Sequence, residues 1–281
     1  MKKNSNQKKM PLVRIHAEVL EAMAEYVATP PPPKAEYAFE LDFEPRGGDY
    51  YVERIVETWH GTGSSAPTPR VTASAHTHYI GNYKEQTCHV GWPSGDDMRW
   101  IFGVAAEKGA LVVHLCAAVE GTYIVACYPH GASPQDLSAH ANGEEIFRYF
   151  SSSHGHRCAP GHDDENYPSA DAFIELTHAF RFTGPLCERH AGEAATCSPA
   201  SKPRARAAKA LGKKQIFFAR FVPHELAPRS ESTPGTYFGA DARAHLENIK
   251  SGAFDHPGTI SFKRTSEYVD LEVPARPIVF V

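Results

Sequence analysis

An alternation of apolar and polar residues over positions 36–43 restricts the fold more than any other feature of this sequence. Every second residue from Tyr37 to Phe43 is aromatic or aliphatic, and Glu36 and Glu40 stand at intervening positions. A period of two is typical of a half-buried β-strand, because successive side chains of a strand point to opposite faces. We therefore expect one face of this strand to enter a core and both glutamates to share the less apolar face.

Segments with helical or strand periodicity occur along the whole chain. Helices are predicted where apolar residues recur three or four positions apart, and strands where short β-rich runs are bounded by turn residues. The predicted helices cover residues 15–27, 98–109, 169–180 and 241–250, and the further predicted strands cover residues 50–58, 70–78, 111–116, 122–127, 216–222, 258–263 and 268–273. This order predicts a mixed α/β (α+β) fold in which helices flank a mixed sheet.

Composition excludes several classes of protein. The 281-residue chain is 42% hydrophobic and 22% charged, which is typical of globular proteins and excludes wholesale disorder, collagen and coiled coils. A net charge of −4 provides no global field that would attract nucleic acid or anionic lipid. We expect no membrane span, because no apolar run reaches ~18 residues. Six cysteines without a secretion signal predict an intracellular protein, cytoplasmic or nuclear.

Two histidines and a downstream aspartate form the strongest candidate site. His76 and His78 are two positions apart in a predicted strand, so both imidazoles lie on one side of it. Two histidines with a carboxylate such as Asp97 suit Zn²⁺ and leave a coordination position open for water. The pair alone does not establish a site, because the chain has 16 histidines and contains a second such pair at His154 and His156.

The serine three residues before Asp97 has two interpretations. In the first, Ser94 is the N-cap of a helix and Asp97 is its third residue, an arrangement that resembles a capping box and stabilises a helix by about 1 kcal/mol. In the second, both side chains take part in catalysis. The two interpretations are compatible, because a helix N-terminus is also a good place to hold a ligand rigidly.

The order of these features resembles the JAMM (MPN-plus, JAB-type) metalloprotease family. A glutamate-bearing strand, a hairpin, a strand ending in His-x-His and a helix opening with Ser-x-x-Asp follow one another within residues 12–128, less than half of the chain. The resemblance implies an MPN/JAB-like core. It also implies that His76, His78 and Asp97 hold zinc, with a water molecule completing the site.

The resemblance assigns roles to the glutamates and to Ser94 as well. Glu36 is the preferred general base, which takes a proton from the zinc-bound water and passes it to the leaving amine, and Glu40 is the alternative base. Ser94 would hydrogen-bond the developing oxyanion. The implied function is that of a zinc-dependent metallohydrolase that cleaves a peptide or isopeptide bond in a protein substrate, such as a conjugate of ubiquitin or a ubiquitin-like protein. The alternative is a catalytically inactive MPN-like scaffold or protein-interaction module.

The chain departs from the family pattern after the second histidine. The family has a proline there and a shorter loop before the serine, whereas Tyr79 stands there and residues 79–93 precede Ser94. This longer loop is a candidate lid or substrate clamp. It contains Cys88 and His89 as candidate additional metal ligands.

A second group of cysteines and histidines occurs in the C-terminal part. Cys158, His162, Cys187 and His190 could close a structural zinc site, because thiolates and imidazoles are its preferred ligands. Their spacing matches no standard zinc finger. The alternative is that these are scattered surface side chains.

We expect three parts in this chain. Residues 1–11 form a disordered basic tail, residues 12–130 the metalloprotease-like domain, and residues 131–281 a mixed α/β C-terminal extension of unknown role. Residues 198–214 carry six basic residues and no acidic one, which is typical of an exposed linker and less typical of a nucleic-acid contact. The sequence leaves open whether the extension forms its own domain or extends the first sheet.

Overall fold

Ten strands and three helices make up the described part of the chain. The computed structural model describes residues 11–29, 35–62, 65–78, 91–128, 150, 170–179, 215–227 and 259–273. The strands are β1 (Leu12–His16), β2 (Tyr37–Arg46), β3 (Asp49–His60), β4 (Ala73–Thr77), β5 (Val112–Ala117), β6 (Gly121–Cys127), β7 (Phe217–Pro223), β8 (Glu225–Ala227), β9 (Thr259–Ser261) and β10 (Tyr268–Glu272), and the helices are α1 (Ala17–Ala28), α2 (Gly95–Lys108) and α3 (Ala170–Ala179). The mixed α/β class predicted from the sequence is confirmed. The predicted tail up to residue 10, the linker at 198–214 and the helix at 241–250 lie outside the described residues.

A strand precedes the first helix, so the predicted helical start at residue 15 is wrong. Val13 and Ile15 are fully buried and alternate with less buried neighbours. They pair with β3 in parallel and with β10 in antiparallel orientation. The helix begins after His16, whose Nδ1 accepts a hydrogen bond from the Glu18 N–H. Pairing with distant strands therefore decides the conformation of these first residues.

Eight strands form one sheet in the order β10–β1–β3–β2–β4–β5–β6–β7. Neighbours are antiparallel except for the parallel pairs β1/β3 and β4/β5. Since β7 and β10 come from the C-terminal extension, that part of the chain adds one strand to each edge of the N-terminal sheet. The two edges approach one another, and the Arg220 guanidinium donates a hydrogen bond to the Asp270 carbonyl oxygen. β8 and β9 pair separately.

Helices cover both faces of the sheet. α1 contacts β3, β4, β5 and β6 on one face, where Tyr26 packs against Tyr37 and Phe39 of β2 at ring-centroid distances of 4.6 and 4.7 Å. α2 contacts β5 and β6 on the other face, where Trp100 packs against His114 of β5 at 5.4 Å. None of the helices within the described residues is long and apolar enough to cross a membrane.

Glycines close the first hairpin and end α2 where the sequence predicted. Gly47 and Gly48 connect β2 to β3 with φ angles of 60° and 93°. This left-handed backbone suits a tight hairpin, and glycine adopts it most readily. Gly109 follows α2 with a φ angle of 60°, and its N–H bonds back to the Ala105 carbonyl. These local signals were sufficient to locate both features.

Two valines of β3 compare a buried position with an exposed position of the same strand. Val52 is fully buried, whereas Val56 is 54% exposed. We expect Val52→Ala to lower the free energy of unfolding by about 2 kcal/mol, because the burial of two carbon atoms is lost and a cavity remains. Val56→Ala is the matched control and should change it by less than about 0.5 kcal/mol. Urea denaturation measures both values, and equal values would contradict this arrangement of the sheet.

Candidate metal centre

Strand β4 places two histidines on one face of the sheet. It lies between β2 and β5, with His76 opposite Ala38 on β2 and beside Cys116 on β5. His78 follows the strand and continues its ladder, since its backbone N–H donates to the Ala117 carbonyl at 2.8 Å. Residues two apart in an extended segment share a face, so both imidazoles point to the same side.

The Nε2 atoms of the two histidines converge beside a carboxylate. They lie 2.9 Å apart. Asp97 is next to both, with Oδ1 3.6 Å from His76 Nε2 and Oδ2 3.5 Å from His78 Nε2. His76 is 4% exposed, and the Asp97 side chain is partly exposed. The structure thus brings together the three residues that the sequence nominated as metal ligands.

The first turn of α2 fixes the position of this aspartate. Ser94 is the N-cap, and its Oγ accepts a hydrogen bond from the Asp97 N–H at 3.2 Å. Asp97 Oδ2 accepts hydrogen bonds from the Ser94 N–H at 2.6 Å and from the Ser94 hydroxyl at 2.7 Å. The capping-box interpretation of the Ser-x-x-Asp motif is therefore confirmed. The same contacts hold the carboxylate against the two imidazoles.

Buried hydrogen bonds hold His76 from behind. His76 Nδ1 lies 2.6 Å from His114 Nε2, and His114 Nδ1 lies 2.8 Å from Ser74 Oγ. When His76 Nδ1–H donates to His114 and His114 Nδ1–H donates to Ser74, the His76 Nε2 atom keeps its lone pair. Neighbours of this kind orient metal-binding histidines and fix their tautomer. Neither Ser74 nor His114 was nominated from the sequence, although a histidine within the apolar run of β5 was a usable signal.

His78 is held in a similar way by the chain before α2. Its Nδ1–H donates to the Gly91 carbonyl at 2.8 Å, because a carbonyl oxygen can only accept. The Gly91 N–H in turn donates to the buried Glu120 carboxylate at 2.5 Å. The Tyr123 hydroxyl donates to the same carboxylate oxygen at 2.9 Å. With Nδ1 engaged, the remaining nitrogen of His78 faces His76.

The ionisable groups of the site complement one another. Burial lowers the pKa of His76 to about 4, so its imidazole is neutral at pH 7. Burial disfavours protonation of His78, but Cys116 and Asp97 outweigh it and raise the pKa of His78 well above its usual value. Burial also disfavours the charged form of Asp97, but the two histidines outweigh it and hold its pKa well below the usual range. The cluster thus stabilises a positive charge next to the Asp97 carboxylate, as a proton or a metal cation would supply.

A thiol that the sequence did not single out lies beside these donors. Cys116 is fully buried, and its Sγ is 3.6 Å from His76 Nε2. The metal-binding atoms of His76, His78 and Cys116 all lie within 4.8 Å of one another, so this group could hold a metal ion. Only the parallel pairing of β4 with β5 brings Cys116 next to a histidine 40 positions away.

The two candidate bases occupy different positions along β2. Glu36 is buried, and its charge acts on His78 and Cys116. If the Ala38–His76 pairing is continued by two more pairs, Glu36 stands opposite His78. Glu40 is half-buried and pairs with Ser74, farther from His78.

The other candidate ligands lie outside the described residues. These are Cys88 and His89 in the long loop, and the group Cys158, His162, Cys187 and His190. The loop itself is described only from residue 91 onwards. A second metal site and a lid therefore stay predictions from the sequence.

The contact between His114 and Ser74 is expected to matter for metal affinity. We expect Ser74→Ala to weaken Zn²⁺ binding by about 10-fold, because His114, and through it His76, loses an orienting partner. Thr122→Val is the matched control, since Thr122 Oγ1 makes a similar buried contact with His224 Nε2 at 3.0 Å on another part of the sheet. Competition with a chelating dye measures both affinities. Equal affinities would show that the contact has no orienting role.

Comparison with known proteins places this chain in no family. It matches no protein-family model, no curated protein and no solved structure. What the site can do is therefore inferred from the residues and geometry of this chain.

Proposed function

We propose that this protein is a zinc-dependent metallohydrolase that cleaves peptide or isopeptide bonds. The convergence of two imidazole Nε2 atoms, on rings whose Nδ1 atoms are both engaged by neighbours, is the observation that carries the proposal. With Nδ1 occupied, each ring directs its remaining nitrogen to the same place. The Asp97 carboxylate lies beside that place. Such an arrangement suits a divalent cation.

His76, His78 and Asp97 would hold the zinc ion. Imidazole nitrogens and carboxylate oxygens are usual zinc ligands, and three protein ligands are typical of catalytic zinc sites. When bound, zinc supplies Lewis-acid activation of a water molecule. The hydrogen bonds of Asp97 to the helix start and of both histidines to their neighbours keep these donors in place without any ligand.

Glu36 is the proposed general base. In this role its carboxylate accepts a proton from the attacking water and delivers it to the nitrogen of the leaving amine. Burial of Glu36 and the effect of its charge on His78 support this choice over Glu40. Because Glu36 is buried, its carboxylate is also shielded from solvent.

Ser94 is the proposed donor to the oxyanion. In this structure the Ser94 hydroxyl donates a hydrogen bond to Asp97 Oδ2. The hydroxyl must therefore rotate away from Asp97 before it can donate to a substrate oxygen. Ser94 stands at the N-terminus of α2, where the helix dipole favours developing negative charge. The residue therefore combines a structural role in the cap with the proposed role in catalysis.

The resemblance to the JAMM family supports the choice of substrate. The elements on which it rests, from the glutamate-bearing strand to the helix after the histidines, are present as β2, β3, β4 and α2 in that order. We include an MPN/JAB-like core in the proposal, together with an amide bond in a protein substrate as its target. A lysine conjugate of ubiquitin or a ubiquitin-like protein is the substrate class to test first.

Zinc content tests the metal site without knowledge of the substrate. Elemental analysis of the purified wild-type protein should find one zinc equivalent that the His76→Ala/His78→Ala variant lacks, because two of its ligands are gone. Circular dichroism checks that the variant is folded. Zinc that both proteins share belongs to a different site. Equal zinc content, or none in either protein, would exclude the proposed centre and favour an inactive MPN-like scaffold.

Paired glutamine variants test the base. We expect Glu36→Gln to lower kcat by about 100-fold or more while zinc content is retained, because the amide cannot accept the proton. Glu40→Gln on the same strand should keep most of the activity. Hydrolysis of isopeptide-linked ubiquitin dimers and of a mixed peptide pool provides the measurement. Loss of activity in Glu40→Gln alone would identify Glu40 as the base instead.

A further inference from the structure

The position of Cys116 is not explained by packing alone. Its Sγ lies 3.6 Å from His76 Nε2 and 3.5 Å from the Gly91 carbonyl oxygen, to which the thiol donates. That carbonyl is the one that also accepts the His78 Nδ1–H. The thiol therefore contacts His76 directly, and it also contacts the carbonyl group that holds His78. Cys127, the other free cysteine within the described residues, lies on β6 opposite Val112 and Phe217 instead.

The distances around Cys116 match those between two ligands of one ion. Zinc binds imidazole nitrogen at about 2.0–2.1 Å and thiolate sulfur at about 2.3 Å, so two such ligands at a tetrahedral angle are about 3.5 Å apart. The observed separation of Cys116 Sγ from His76 Nε2 is 3.6 Å. The three donor atoms of His76, His78 and Cys116 lie within 4.8 Å of one another.

The sulfur and the carboxylate approach the histidines from different elements. Cys116 belongs to strand β5 of the sheet, whereas Asp97 belongs to the first turn of α2, which packs on the sheet. Both have a donor atom within 3.6 Å of His76 Nε2. The donor atoms of His76, His78 and Cys116 lie close to one another, and Asp97 lies beside both histidines. Together the four side chains supply the number of donors that a tetrahedral zinc site needs.

We propose that Cys116 is a fourth protein ligand of the metal held by His76, His78 and Asp97. This inference rests on the proposed function, because it uses the same metal centre. On binding, the S–H bond of Cys116 is replaced by a metal–sulfur bond, and the proton passes to solvent. A thiolate ligand selects Zn²⁺ over Mg²⁺, Ca²⁺ and Mn²⁺, which prefer oxygen ligands.

A fourth protein ligand also defines a resting state. Catalytic zinc sites keep one position for water, whereas sites with four protein ligands are closed. With Cys116 bound the site would be closed, so hydrolysis would require Cys116 Sγ to give up its position to water.

Cobalt substitution tests the sulfur ligand by a readout that does not depend on activity. Co²⁺ bound by a thiolate has a sulfur-to-cobalt charge-transfer band in the near ultraviolet, which nitrogen and oxygen ligands do not produce. We expect this band in wild-type protein loaded with one equivalent of Co²⁺. Cys116→Ser should lose the band and still bind Co²⁺. The buried Cys127→Ser variant is the matched control and should keep the band.

The other outcomes separate this inference from the proposed function. If wild type binds Co²⁺ through His76 and His78 but shows no band, or if Cys116→Ser keeps the band, Cys116 is not a ligand and the proposed hydrolase stands. If His76→Ala/His78→Ala binds as much Co²⁺ as wild type, both proposals fail.

X-ray absorption of the zinc-loaded wild type provides a second measurement, which does not depend on the folding of Cys116→Ser. One sulfur neighbour at about 2.3 Å is expected. The His76→Ala/His78→Ala variant is the control, and sulfur scattering that remains in it belongs to another site. A first coordination shell of nitrogen and oxygen alone would overturn the inference.

Discussion

The register of β4 between β2 and β5 is the constraint on which the rest of the site depends. It sets His76 opposite Ala38 and beside Cys116. A slip by one residue would turn both imidazoles to the α1 face, because side chains alternate along a strand. The hydrogen bond from the Tyr37 N–H to Thr77 Oγ1 at 2.9 Å ties this end of β4 to β2. One register thus aligns the glutamate strand, the histidines and the thiol.

Because this cluster is buried, each of its polar groups needs a hydrogen-bonding or charged partner. Polar groups removed from water are costly unless each has a partner, and an unpaired charge is costlier still. Around His76 and His78 the partners are supplied by His114, Gly91 and Asp97. The result is a set of donors held in position by hydrogen bonds to the sheet and to a helix start. Donors held in this way would need little rearrangement to bind a cation.

Elements with a strong local pattern could be predicted from the sequence. The alternation from Tyr37 to Phe43 located β2, the glycines located the first hairpin and the end of α2, and the Ser94–Asp97 spacing located the start of α2. β1 was missed, because five residues that run directly into a helix offer little local signal. Its strand conformation depends on pairing with β10, more than 250 positions away.

The sequence by itself determined that His76 and His78 share one side of a strand and that Asp97 begins a helix, because strand alternation and helix capping are local properties. Only the tertiary structure decided that the helix start meets this strand and that Cys116 and His114 lie next to His76. The physical reason is that these contacts come from strand register and from the packing of α2 on the sheet. Both are set by the burial of the whole apolar surface, which no short motif encodes.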